Sequence, residues 1–310
     1  MVIQDTVVLK KEWYMAMLVL FGAGASHGSE PEARNKTPPL GKYLFPELCK
    51  LGGISSMLPA DIKECFYRDF EEGMAVFNER MNIELQPFHR ELSSYLADFT
   101  PSLNSYYVEM LKLLHGRNVV FSSLNYDMML EEAAEKLGIK TNYGLDRILG
   151  AVRLIKPHGS INFWPEVPYQ SFHNLKVSGF KTTVEAPVRP LTRGESKHRC
   201  VADTSFSPAI SMYAKGKKVP VCPSYVAEHQ SMFAHACRRA SQIMIVGVRV
   251  VPEDIHIWKP ILKSKAKITY FGSGEDQVEL DAWGRNSGRK NIRFVEGFFD
   301  KAVSEVRNVF

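Results

Sequence analysis

Short apolar runs, each closed by glycine or a polar turn, constrain this chain more than any other feature. Residues 17–21 (MLVLF), 118–122 (NVVFS) and 243–248 (IMIVGV) are continuous rather than alternating. A strand reads this way when both faces of its sheet are covered, as in parallel α/β sheets. Two further runs, 152–155 (VRLI) and 266–271 (AKITYF), belong to the same predicted sheet. Helical patterns lie between them. Residues 127–137 (DMMLEEAAEKL) combine good helix formers with an apolar stripe, and Gly138 is placed to end that helix. Residues 227–241 form a second strong pattern leading into the run at 243–248. Strands alternating with helices predict an α/β fold: an open, doubly wound, mostly parallel Rossmann-like sheet.

Two stretches break the alternation. Residues 40–114 hold no convincing strand and several amphipathic patterns, which predicts a helical module inserted after the first strand–turn–helix. Residues 163–223 are rich in Pro, Ser, Lys and aromatics without a clear period. That length is too great for a bare loop and predicts a small irregular or β-containing insertion. The expectation for 1–310 is one catalytic domain carrying both insertions. With 45% hydrophobic and 24% charged residues, the chain can build a substantial core. A formal charge of +5 permits an acidic ligand without marking a dedicated nucleic-acid binder. The apolar stretch at 15–21 is too short for a membrane span. Five scattered cysteines with no C-x-x-C pair argue against a zinc ribbon or redox pair and suit a reducing, cytoplasmic setting.

Four segments could carry chemistry. Gly22-Ala23-Gly24-Ala25-Ser26 follows the first predicted strand, where glycines let a backbone approach a pyrophosphate at a helix N-terminus. The third fingerprint position is His27, and a tight turn that merely starts a helix accounts for the motif equally well. Ser123-Leu124-Asn125-Tyr126-Asp127 lies between strand and helix, so Asn125 and Asp127 are either helix caps or ligand-facing groups. Lys156-Pro157-His158-Gly159-Ser160 places His158 on a rigid turn at a strand end, available as a general base. The fourth, 243–254, ends a strand at Gly247 and opens a helix with Pro252-Glu253-Asp254, an arrangement that an Asp cap alone explains. The other histidines assemble into no metal motif, and no metal is expected. The basic clusters at 193–199 and 215–218 are predicted as solvated loops, with polyanion contact as the alternative.

Taken in order, GAGAS, SLNYD, KPHGS and IVGVRVVPED resemble the sirtuin-like family, over about residues 17–271 and weakly within 40–114 and 163–223. The similarity is strongest to the sirtuin-like domains of bacterial anti-phage defence proteins, which hydrolyse NAD+ rather than deacylate proteins. The resemblance implies that Gly22, Ala23, Gly24 and Ser26 cradle the phosphates of NAD+. It makes Asn125 and His158 the catalytic residues and gives the nicotinamide carboxamide to Asp127. Gly247 then opens the adenosine-side loop, with Arg249 where relatives carry a small polar residue. Deacylating sirtuins carry two C-x-x-C pairs in the region of 163–223, where this chain has only Cys200 and Cys222. That difference favours water as the acceptor.

The expected activity is therefore an NAD+ glycohydrolase releasing nicotinamide and ADP-ribose, a substrate role for NAD+ without a metal. The alternatives are a zinc-free NAD+-dependent deacylase, a non-catalytic module sensing NAD+ or ADP-ribose, and a nucleic-acid-processing subunit. A defence NADase must be silent until triggered. The resemblance thus implies regulation through homo-oligomerisation or a separately encoded partner such as a DNA-translocating ATPase.

Overall fold

The computed structural model describes residues 15–32, 36–80, 85–167, 183–211 and 219–309. The chain enters through β1 (Met15–Phe21) and a one-turn helix α1 (Ala23–His27). Residues 40–114 then supply α2 (Gly41–Lys50), α3 (Ile54–Met57), α4 (Ala60–Arg68), α5 (Phe70–Arg80), α6 (Leu85–Leu96) and α7 (Tyr106–Leu114). No strand falls among the described residues of that stretch. After it come β2 (Val119–Ser123), α8 (Met129–Lys136), β3 (Lys140–Asn142) and β4 (Ala151–Ile155). The second insertion contributes β5 (Phe163–Pro165), β6 (Val188–Pro190) and α9 (Arg193–Ala202). The chain closes with α10 (Pro223–Arg239), β7 (Ala240–Val246), α11 (Ile255–Lys263), β8 (Lys267–Gly272), α12 (Gly274–Ser287), β9 (Ile292–Glu296) and α13 (Phe299–Val309).

Seven strands form one sheet in the order β3-β4-β2-β1-β7-β8-β9, and every neighbouring pair is parallel. The sequence direction reverses between β1 and β7, where a doubly wound sheet has its topological switch point. Alternate residues of the continuous apolar strands feed two different cores. Met17, Val19, Phe21, Val119, Phe121, Leu154, Met244 and Val246 pack with the 40–114 helices, α8 and α13. Leu18, Leu20, Val120, Ile155, Ile243, Ile245 and Ile268 pack with α10, α11 and α12. The central runs of these strands are mostly apolar on both faces because each face meets a helical layer.

Element ends differ from the sequence expectation in instructive places. The helix expected at 227–241 begins at Pro223, a residue whose fixed φ suits the first helical turn. It stops at Arg239 because Ala240 already pairs with Met15 in the sheet. The strand expected at 243–248 runs over Ala240–Val246 and ends at Gly247 (φ +61°). β3 and the half-exposed edge strand β9 had no continuous apolar run to announce them. The basic cluster at 193–199 is a helix, not a loop, started by a capping box between Thr192 and Glu195. Its charges are paired: Arg193 with Glu132, Lys197 with Asp98, and Arg199 with Asp203 and over the Trp164 ring. The first two pairs tie the second insertion to α8 and to the turn after α6. The cluster at 215–218 lies outside the described residues.

Candidate functional site

Parallel strands aim their carboxyl ends the same way, and the loops after β1, β2, β4 and β7 carry all the residues singled out from the sequence. Two clusters result. In the first, the Asn125 side-chain amide donates to the Gly22 carbonyl (2.8 Å) and to Ser26 Oγ (2.9 Å), while Ser26 Oγ also meets the Tyr107 hydroxyl at 3.0 Å. Asn125, Ser26 and Tyr107 are all buried. Asn125 therefore joins the β1 turn to the β2 loop and does not stand open to solvent.

The glycines of GAGAS have a packing reason. A Cβ on Gly22 would lie 2.4 Å from the Gly247 carbonyl oxygen, and one on Gly247 would lie 2.3 Å from the Ala25 nitrogen. The Gly22 amide donates to Val246 O and the Gly24 amide to Gly247 O, both at 3.0 Å. These two turns are zipped together across the switch point. The phosphate cradle expected from the sequence is thus only partly available: two of its amides and the Ser26 hydroxyl are already engaged. Ala23 is exposed at the rim and Gly24 half-exposed.

Beneath this cluster runs a buried polar layer that the sequence reading did not single out. The Lys156 ammonium, wholly buried, donates to the Asp127 carbonyl and pairs with Glu131 at 3.1 Å. Glu131 also accepts from the Tyr143 hydroxyl at 3.1 Å, and Tyr143 accepts from the Asn162 amide at 2.7 Å. The Lys156 backbone amide donates to His229 Nδ1, and burial pushes that imidazole down to about 3, with the Lys156 charge acting in the same direction. Asp127 accepts from the Met129 amide at 3.1 Å, a start-of-helix contact. Burial raises its carboxyl above the usual range, against the opposing charge of Lys156. A charged lysine opening K-P-H-G-S, directly after an apolar strand, was the available signal for this layer.

The second cluster is centred on His158. Its turn is held by Gly159 (φ +77°), where a Cβ would come within 2.1 Å of the Ala209 carbonyl oxygen. The Ser211 amide donates to the His158 carbonyl at 2.8 Å. His158 Nε2 lies 3.0 Å from Asp254 Oδ2, and His256 Nε2 lies 2.9 Å from Asp254 Oδ1. Asp254 was expected to cap α11. It occupies the N-cap position, but its side chain makes no capping bond and turns to the two imidazoles. His158, Asp254 and His256 are the group of described residues that could hold a metal ion, all three potential ligand atoms lying within 4.8 Å of one another. No local pattern announces this group, because 96 residues separate His158 from Asp254.

Two expectations fare differently. Arg249 is 59% exposed and faces Asp69 of the 40–114 insertion at 3.7 Å, which directs it toward that module. Cys200 and Cys222 pack in separate apolar clusters, Cys200 with Trp164 and Leu191, Cys222 with Phe163 and Val226, and so form no joint metal site. A groove of about 400 Å³ lined by Met17, Gln242, Lys267 and Arg293 opens toward the amino ends of the strands, away from both clusters.

No family model matches the chain. No curated protein is significantly similar to it. Among solved structures, it is similar to the ADP-ribose complex of a histidine-to-asparagine variant of a Sir2 homologue. That likeness has 15% sequence identity and a TM-score of 0.41, and covers 99% of this chain and 98% of the other.

Proposed function

We propose that this chain is an NAD+ glycohydrolase, cleaving NAD+ to nicotinamide and ADP-ribose. The observation that supports it is convergence: the loops after β2 and β4 bring Asn125, Asp127 and the braced His158 to the carboxyl edge of one sheet, beside the switch point between β1 and β7. The GAGAS, SLNYD and KPHGS motifs that resemble sirtuin-like NAD+ hydrolases fall on the loops after β1, β2 and β4.

In the proposed reaction the C1′–N bond breaks, its electron pair passes to the pyridinium nitrogen, and nicotinamide leaves neutral without a general acid. The ribose develops oxocarbenium character, as in glycoside hydrolysis. Water adds to C1′ and gives its proton to His158. An ionised Asp254 can only accept hydrogen bonds, so it holds the proton of a neutral His158 on Nε2 and leaves the lone pair on Nδ1. Asp127 is assigned the nicotinamide carboxamide, and Asn125, through its carbonyl oxygen, the ribose hydroxyls. The phosphates are assigned to the exposed rim of the β1 turn at Ala23 rather than to the buried Ser26 hydroxyl. A cytoplasmic location belongs to this proposal through the scattered cysteines, and control by self-assembly or by a separately encoded partner through the sequence resemblance alone.

The test is nicotinamide release from NAD+ by purified protein, with and without an acylated peptide. Peptide-independent release that falls about 10²–10⁴-fold in His158→Ala is the expected result. Release only with peptide would replace the hydrolase by a deacylase. Saturable NAD+ binding without turnover, alone and with its partner, would make the chain a sensing module.

A further inference from the structure

We propose that His158, Asp254 and His256 form a binding site for one divalent transition-metal ion of the zinc class. The donor set is two imidazole nitrogens and one carboxylate, which suits zinc and its borderline neighbours. Magnesium and calcium prefer oxygen donors throughout. Tetrahedral zinc with bonds of about 2.0–2.2 Å places its donor atoms about 3.3–3.5 Å apart. Here the carboxylate stands 3.0 and 2.9 Å from the two nitrogens, and all three donors lie within 4.8 Å. The two carboxylate–nitrogen separations already approach that spacing.

The backbone that carries the donors is already fixed. His158 is pinned by the Gly159 turn and by the bond from the Ser211 amide, and Gln230 Nε2 donates to the neighbouring Pro157 carbonyl at 3.2 Å. Asp254 N donates to the Val251 carbonyl, and the Asp254 carbonyl accepts from Ile257 and Trp258. A preorganised frame of this kind lowers the cost of gathering ligands. The Asp254 side chain is 6% exposed, yet it forgoes the capping bond that its position at α11 invites and faces the imidazoles. Both imidazoles keep a solvent-facing edge, at 14% and 17% side-chain exposure. Three protein ligands with solvent access leave a coordination position open, the arrangement of sites that exchange water or ligand rather than sealed structural ones.

Binding through Nε2 requires each neutral ring to carry its proton on Nδ1. A bound ion therefore withdraws the lone pair that the proposed reaction needs from His158. This consequence, inhibition of nicotinamide release by stoichiometric metal, rests on the proposed function; the site itself does not.

The experiment uses full-length protein without a histidine tag, stripped with a chelator and desalted. Zn2+ affinity is measured by competition with a chromophoric chelator, and Co2+ is followed by its visible absorption. One ion per chain is expected. His256→Ala and Asp254→Asn, confirmed folded by circular dichroism, should each weaken binding by about 100-fold or more, beyond what outer-shell partners cost. His235→Ala, which removes an exposed imidazole on α10, should bind as the parent does. Absence of stoichiometric binding overturns the proposal. So does unchanged affinity in both His256→Ala and His256→Gln, or an equal loss in His235→Ala. If the metal binds and nicotinamide release is unaffected, the site stands and the assignment of His158 as base falls.

Discussion

The Asn125 cluster and the His158 cluster sit at the same edge of one sheet, yet one is closed and the other open. Around Asn125 the amide hydrogens, the Ser26 hydroxyl and the Gly22 and Gly24 amides all have protein partners, and the layer below buries Lys156 against Glu131. Around His158 the side chains converge on a single carboxylate and keep contact with solvent. The difference separates two jobs that the sequence motifs fuse. The closed cluster fixes where the strand ends stand relative to one another; the open one holds the groups that can accept a proton or an ion. A motif residue can thus be indispensable to the first without touching a ligand.

The largest effect expected of that contrast falls on the closed side. Lys156→Met leaves Glu131 buried without its cation and should cost about 3–5 kcal/mol in chemical unfolding. Adding Glu131→Leu should recover most of the loss; if it does not, the pair is not what holds α8 to β4. Next comes Gly247→Ala, which places a Cβ against the Gly24–Ala25 backbone at a left-handed φ and should destabilise by about 3 kcal/mol. Asn125→Ala removes one hydrogen-bond partner each from the Gly22 carbonyl and the Ser26 hydroxyl and should cost about 1–3 kcal/mol. Asn125→Asp should cost no less, since it keeps the shape but turns donors into acceptors. A loss of nicotinamide release in either variant is therefore interpretable only beside its unfolding curve.

Acidification probes the same layer. His229 titrates near 3 when folded and near 6.5 when unfolded, so below pH 6.5 the unfolded state takes up the proton first. Its contribution to stability is complete above pH 6.5. It is lost at about 1.4 kcal/mol per pH unit as the pH falls toward 3. Buried His89, likewise pushed down to about 3, adds an equal share, so His229→Asn should reduce the slope of urea midpoints over that range by about half. The smallest effect belongs to Arg249→Ala, because an exposed pair at 3.7 Å contributes less than about 1 kcal/mol. Any marked loss of NAD+ affinity in that variant would then report ligand contact directly.

Much of the frame was legible in the chain itself. Continuous apolar runs at 17–21, 118–122 and 243–248 become adjacent central strands, and the turns that follow them carry the motif residues. Residues 40–114 supply α2 to α7 joined by turns, with no strand among their described residues. Edge strands were not legible: β9 (IRFVE) is half-exposed, so its pattern does not demand burial. Nor was the helix at Arg193–Ala202, whose basic residues resemble a solvated loop until Glu132 and Asp98 are brought beside them by the fold.

Residue types along the chain were enough for the α/β layering and for the loops that carry the motif residues, because burial on both faces and the positions of glycine are local constraints. Long-range packing set which partners the residues on those loops meet. It set Gly22 against Gly247 and engaged the amides a phosphate would have met. It turned Asp254 from a helix cap into the shared partner of His158 and His256, and buried Lys156 beside Glu131. The physical reason is distance along the chain. Partners about 25 to 225 residues apart meet only once the parallel strands are in register, and no local pattern records which side chains that register will bring within three ångströms.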